Sequence, residues 1–173
     1  LKVIVSRLGK CKGGIIHSQI TASLMAGGLI DFQFDTRASG DYISKLPSLP
    51  KIGTECIAAE GFENFKWFGR GPQHNYSDRN NGTLARVYSG TVDEQFVSFP
   101  VPQENGNKTG VRWASLIDDS GFGVKIIGKQ MLETSVAHYS DMNLSKAYHT
   151  YDLKREPEVF WDIDLKQCGL GNA

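Results

Sequence analysis

Cysteine is scarce in this chain of 173 residues and scattered, at Cys11, Cys56 and Cys168. An odd number, with neither Cys-x-x-Cys nor zinc-like spacing, excludes a disulfide framework and a redox pair. It leaves free or buried thiols and at most one bridge. Charge excess is missing too: 19 Lys and Arg balance 19 Asp and Glu. Without a Lys/Arg cluster there is no nucleic-acid partner to expect, because a phosphate backbone calls for concentrated positive charge. No apolar run approaches the ~20 residues of a membrane-crossing helix, so no membrane partner is expected. The four histidines, His17, His74, His138 and His149, lack ligand spacing. No Gly-x-Ser-x-Gly elbow is present, and Cys168 has no evident basic partner. The residues offer neither a metal site nor a nucleophile.

What is present is period-two alternation. In "LIDFQFDT", Ile30, Phe32 and Phe34 share one face and Asp31, Gln33 and Asp35 the other. In "VFWDIDL", Val159, Trp161, Ile163 and Leu165 oppose Phe160, Asp162 and Asp164. Further strands are predicted over 2–6, 14–24, 63–67, 111–117 and 123–128, the last two joined by a turn at Asp118-Asp119-Ser120-Gly121. One short helix is predicted within 140–149, capped by Ser140 or Asp141. "KLPSLPKIGT" (45–54) reads as a connection or a sheet edge rather than a domain linker. The fold class is all-β, a large antiparallel sandwich in one domain spanning 1–173. The chain opens on a strand pattern without Met and closes on "GLGNA". A trimmed fragment of a longer protein is therefore expected.

Three stretches compete as sites. Asp162 and Asp164 would lie about 6.6 Å apart on one side of a strand, near the spacing of an inverting glycosidase pair. The favoured reading is instead the solvated face of a half-buried strand. "PVPQENGNKTGVRW" (100–113) places Glu104 and Asn105 in a Pro-flanked loop that feeds a strand carrying Arg112. It serves equally as a ligand loop or as a tight Asn105-Gly106 turn with Arg112 pairing a carboxylate. Asn107-Lys108-Thr109 also matches a glycosylation sequon. "WFGRGPQHNYSDR" (67–79) is the richest. Gly69 and Gly71 permit backbone angles closed to other residues, and Pro72 stiffens the polar run after it. Gln73, Asn75, Tyr76 and Asp78 offer donors and acceptors, while Trp67 and Phe68 offer apolar faces to a sugar ring. The alternative is an ordered loop with internally satisfied polar groups.

In chain order, "WFGRGPQHNYSDR", "SGTVDEQFVSFPVPQENGNKTGVRW", "LETSVAHYSDMNLSKAYH" and "VFWDIDLKQCGLGNA" resemble the C-terminal domain of large bacterial β-galactosidases of glycoside hydrolase family 2. That domain forms the separate small chain of two-chain versions, and the resemblance runs from Glu63 to Ala173. It implies a β-supersandwich of the galactose-mutarotase-like kind. It also implies a retaining mechanism whose two glutamates lie in another domain, so that no catalytic residue is expected in this chain. The Mg2+ and Na+ of the parent enzyme would be bound mainly by other domains, leaving no cofactor here. Gly71, Pro72, Gln73, Asn75, Tyr76, Asp78 and Arg79 match the family's loop bordering the galactose pocket. His74 stands where relatives often carry Glu. The family's substrate-stacking Trp, a few residues past the Gly-x-Gly matched by Gly169-Leu170-Gly171, and its Arg-Ala-Pro-Thr-Asp-Asn-Asp-like motif are not in this sequence.

The implied function is a part of a β-galactosidase that is non-catalytic by itself. It would shape the galactoside pocket, with residues 71–79 as a gating loop, and support assembly with the remaining domains or large chain of a homo-oligomeric parent. The cytoplasm is the default compartment and the periplasm the second choice. Two alternatives compete. A stand-alone mutarotase-type epimerase would use His138 with Glu104 or Asp162, and a carbohydrate-binding module would work without an enzyme attached.

Overall fold

The computed structural model describes residues 1–169 apart from Lys12, and of Cys11 only the backbone; Leu170 and Gly171 of the expected Gly-x-Gly stretch lie outside the described residues. The fold is all-β and antiparallel, as the alternation predicts. Two compact units divide it, the first spanning Leu1–Ser48 and the second beginning at Leu49. The division falls within the 45–54 stretch, which both connects the units and opens an edge strand.

The first unit is a three-stranded sheet in the order β1-β2-β3, from Lys2–Cys11, Gly14–Leu24 and Ile30–Ser39. The strand predicted over 2–6 continues to Cys11 because Arg7, Gly9 and Lys10 keep their pairing with Ser18, Ile16 and Ile15. Register gathers Val3, Val5, Ile20, Leu24, Ile30, Phe32 and Phe34 on one side. That face is not covered within the unit, and Phe32 stands 63% exposed.

The second unit is a six-stranded sheet in the order β4-β9-β8-β7-β5-β6. Its strands are β4 (Lys51–Ala58), β5 (Asn64–Gly71), β6 (Leu84–Thr91), β7 (Lys108–Ile117), β8 (Gly123–Ala137) and β9 (Val159–Gln167). The predicted turn between β7 and β8 forms as read. Asp118 Oδ1 accepts from the Ser120 and Phe122 amides, at 2.8 and 3.0 Å, and Gly121 takes φ 85°. β8 outruns its predicted end because its first part pairs with β7 and its last residues, from Glu133, pair with β9. Helix α1 (Val92–Gln95) carries a capping box on Thr91. Helix α2 (Asp141–Lys146) is capped by Ser140, whose hydroxyl accepts from the Asn143 amide at 3.3 Å.

Phe65, Trp67, Val111, Leu116, Val136, Val159 and Trp161 form the core of this unit. Phe65 stacks on Trp67 at 5.2 Å and meets Trp161 edge-on at 6.3 Å. Burying such a ring contributes about 2–3 kcal/mol. Trp67 is therefore a core residue and not a sugar platform. Its indole N–H donates to the Arg70 carbonyl at 3.0 Å. Phe68 is covered instead by the Arg112 guanidinium, 4.8 Å from its ring. Both apolar faces expected for a sugar are occupied by protein.

Candidate functional site

The 71–83 loop leaves β5 and returns as β6, and two glycines set its start. Neither Gly69 nor Gly71 has positive φ, so the expected need for special backbone angles does not hold. Close packing is the reason they are glycine. A Cβ on Gly69 would stand 2.7 Å from Val111, and one on Gly71 would stand 3.0 Å from both Trp67 and Tyr88. The Gly71-Pro72 peptide is cis. Arg70, which no sequence pattern singles out, braces the returning arm by donating to the carbonyls of Thr83 at 2.8 Å and Asn80 at 3.3 Å.

The loop residues divide into anchors and exposed groups. Asn75 is fully buried. Its Oδ1 accepts from the Thr109 hydroxyl at 2.6 Å and the Thr109 amide at 3.0 Å, and its Nδ2 donates to the Gln73 carbonyl at 2.9 Å. Its amide donates to the Asn107 carbonyl at 2.8 Å, and the Asn107 side chain returns a hydrogen bond to the Asn75 carbonyl at 3.0 Å. Asn107, the sequon residue, is itself fully buried and also reaches Glu133. Tyr76 donates to Glu104 Oε2 at 3.0 Å, and burial with that neighbouring carboxylate pushes its phenol above the ordinary range. Asn75 and Tyr76, expected to grip a ligand, are thus internally satisfied struts.

Pro72, Gln73, Asp78 and Arg79 remain exposed. Gln73, His74, Asp78 and Arg79, together with the 80–83 turn, line an open recess of about 510 Å³. His74 Nε2 lies 3.0 Å from an Arg79 terminal nitrogen and accepts from it. Burial, then the Arg79 and Lys108 charges, push the imidazole down to about 4. The Arg79 guanidinium lies 5.5 Å from the centre of the Tyr76 ring. Lys108 is buried beneath, donating to the Gly106 carbonyl at 3.1 Å and lying 5.1 Å from the Trp67 ring; burial lowers its amine to about 8.

Behind Tyr76 is a buried ionic cluster, and it overturns the solvated-face reading of β9. The Lys51 ammonium reaches Asp162 at 2.7 Å and Asp164 at 3.8 Å, and Asp164 is wholly buried. Glu104 belongs to the cluster through its charge, which raises Asp164 and is itself held down by Lys51, and it accepts from Gln167 at 3.3 Å on Oε1. The α2 region and the loop holding Glu104 and Asn105 cover this side, and only a crevice of about 20 Å³ remains beside Asp162, room for no more than one water. A two-carboxylate hydrolytic site needs space for a sugar and a water between the acids. Here Lys51 stands against both aspartates.

Burial would lower the Lys51 amine, but Asp162, with help from Asp164 and Asp141, holds it above its usual value. One cation does not neutralise every acid around it. Burial, together with the Asp162, Glu104 and Glu133 charges, pushes Asp164 up to about 8 against the pull of Lys51. An acid raised this way from 3.8 takes up a proton on folding. Its contribution to stability is complete below the unfolded value and is lost as pH rises to about 8. Asp164→Asn is expected to flatten the decline in urea midpoint between about pH 5 and 8, where one such proton contributes up to ~1.4 kcal/mol per pH unit. An unchanged decline in the variant would contradict this.

The other candidates sit elsewhere in the sheet and its loops. Asn105 is buried, with Oδ1 accepting from the Val97 amide at 2.8 Å, and Gly106 beside it takes φ 80°. Arg112 pairs with no carboxylate among the described residues; it packs on Phe68 and approaches the Gly110 carbonyl at 3.4 Å. His138 is buried, with Nδ1 3.0 Å from the Glu156 and Glu158 carbonyls and Nε2 3.0 Å from Glu63. Neither Glu104 nor Asp162 is its partner, so the epimerase pairing is not formed. Cys56 and Cys168 are free, exposed thiols. Among the described residues, no helix is long and apolar enough to cross a membrane, and no group of three His, Cys, Asp or Glu is arranged to hold a metal ion.

Fold and site together define an all-β chain with a pinned polar loop over an open recess. The family described as beta galactosidase small chain matches residues 10–173, and the chain belongs to that family. It is 37% identical over 126 residues to a beta-galactosidase of Priestia megaterium, covering 73% of this chain and 12% of that protein. A beta-galactosidase BgaC of Bifidobacterium adolescentis is 32% identical over 154 residues, 87% of this chain and 14% of its own length. A beta-galactosidase of Kluyveromyces lactis is 27% identical over 143 residues, 83% and 14% respectively. The chain therefore spans about an eighth of the length of these relatives.

Proposed function

We propose that this chain is the C-terminal region of a glycoside hydrolase family 2 β-galactosidase, acting on terminal β-galactosides such as lactose, and that its part is to border the galactose pocket. The observation carrying this reading is the division of labour in the 71–79 loop. Asn75 and Tyr76 are tied into the sheet, while Gln73, Asp78 and Arg79 face the recess. Polar groups held at fixed positions on a rigid frame suit the orientation of a hydroxylated ligand, which lowers the cost of reaching a reactive geometry. The outer part of the loop serves as a gate over the substrate.

In this reading the two glutamates of the retaining mechanism and the Mg2+ and Na+ sites belong to other parts of the parent polypeptide. The domains or large chain carrying them, in a homo-oligomer, complete the walls around the sugar. The parent is cytoplasmic, with the periplasm as the second choice. The chain alone is expected to show no hydrolysis of nitrophenyl-β-galactoside and at most weak galactose binding by calorimetry, because one wall does not enclose a ligand. The full-length polypeptide is expected to hydrolyse it. Turnover by the isolated chain that is lost on Glu104→Gln would defeat the reading.

A further inference from the structure

Arg79 is held in an unusual way. A guanidinium on a polar loop ordinarily finds a carboxylate, and planar two-point pairing is what its geometry favours. Among the described residues no acid lies within ion-pair distance of Arg79. It donates instead to His74 Nε2 at 3.0 Å and rests over the Tyr76 ring. His74 is fixed from two more sides, edge-on to Tyr76 at 5.7 Å and tilted against Phe99 at 5.8 Å. An imidazole that accepts at Nε2 carries its hydrogen on Nδ1 and has no charge.

We propose that His74 is a positioning residue: a neutral acceptor that aims the Arg79 guanidinium into the recess while leaving its charge available to the oxygens of a hydroxyl-bearing ligand. A carboxylate at position 74 would orient Arg79 equally well, but it would also neutralise it. An aliphatic side chain would leave the charge and lose the direction. Recognition of sugar hydroxyls gains from a charged donor, since a hydrogen bond to an ionised group contributes more than a neutral one. The charged and titratable groups facing His74 are Arg79 and Lys108, both of which disfavour its protonation, and Tyr76, whose hydroxyl is engaged with Glu104. Asp78 lines the same recess. The arrangement therefore keeps its charge state from about pH 5 upward, given an imidazole that titrates at about 4.

The inference rests on the functional reading above, and the full-length polypeptide tests both with nitrophenyl-β-galactoside as the probe. His74→Gln, which keeps a neutral acceptor, is expected to hold KM and kcat within about twofold of wild type. His74→Glu is expected to raise KM about tenfold at pH 7.5 with kcat little changed, the size of one charged hydrogen bond. The raised KM should persist down to about pH 5, because a carboxylate beside the Arg79 charge titrates below its ordinary value of about 4.3. Arg79→Gln should raise KM similarly and add nothing to His74→Glu. Wild-type KM in His74→Glu at every pH, or a His74→Gln variant as impaired as His74→Glu, overturns the positioning role while the functional reading stands. A wild-type polypeptide that hydrolyses no galactoside overturns both.

Discussion

Lys51→Ala is expected to destabilise the protein by about 3–5 kcal/mol, because removing one partner of a buried ion pair leaves the other uncompensated. In this case Asp162, at 2.7 Å, loses its counter-charge, and Asp164, at 3.8 Å and already raised to about 8, loses the charge that holds it down. The corresponding fall in Tm is on the order of 10 °C for a chain of this size. The defect should depend on pH in a definite direction. Burial already raises the Asp162 carboxyl while Lys51 holds it down; without the ammonium it rises further and takes up its proton at higher pH. A group with a raised folded pKa stabilises below its unfolded value and loses that contribution as pH climbs through the folded one. Urea midpoints of Lys51→Ala should therefore lie far below wild type at about pH 8 and approach it near pH 5. A deficit of equal size at both pH values would show that Lys51 contributes packing rather than charge. The variant also tests the link from the cluster to the loop, since Glu104 accepts from both Tyr76 and Gln167.

The second large effect is expected at Asn75. Asn75→Ala removes the acceptor shared by the Thr109 amide and hydroxyl. Both donors are buried, and each orphaned group costs about 1–3 kcal/mol, so the expected loss is about 2–6 kcal/mol. The damage should be concentrated in the loop. Tyr76 and Arg79 exchange backbone hydrogen bonds at 3.3 and 2.9 Å, and in the variant their amides should exchange with solvent far faster than those of β7 or β8. Protection that falls equally across the sheet would mean that Asn75 supports the fold as a whole and not the loop. Gln73→Ala, which removes an exposed side chain and keeps the carbonyl that accepts from Asn75, should leave stability within about 0.5 kcal/mol. The contrast separates the struts of the loop from the groups that face the recess.

These two sites differ in how far they could be read in advance. Residues 71–79 are visible as a polar, Gly- and Pro-punctuated insertion between strands, and their motif carries the family. The side-chain roles within it are not visible. Asn75 and Asp78 look alike as polar loop residues, yet one is fully buried against Thr109 and the other lines the recess. The distinction comes from a partner 34 positions later in the chain. Trp67 reads as a candidate sugar platform because aromatic residues suit both cores and ligands. Its register against Ala114 and Tyr88 turns it inward. Arg112 reads equally as part of a ligand loop or as a partner for an acid, and it covers Phe68. Each error has the same origin, a residue type that suits two environments and a choice made by a neighbour remote in sequence.

β9 gives the sharpest example. Its alternation correctly marks Val159 and Trp161 as core and places Asp162 and Asp164 together on the opposite side. Alternation reports which residues share a face. It does not report what covers that face, and here α2, the Glu104 loop and Lys51 of the edge strand do so. The amino-acid order alone determined most of the antiparallel strands though not β6, the Asp118 turn, a helix cap at Ser140 or Asp141 and the family, because each is encoded by neighbours a few residues apart or by a contiguous motif. Tertiary structure decided which polar side chains became struts and which face the recess. Burial and charge pairing join residues that are from 26 to 113 positions apart, and no local pattern records those distances.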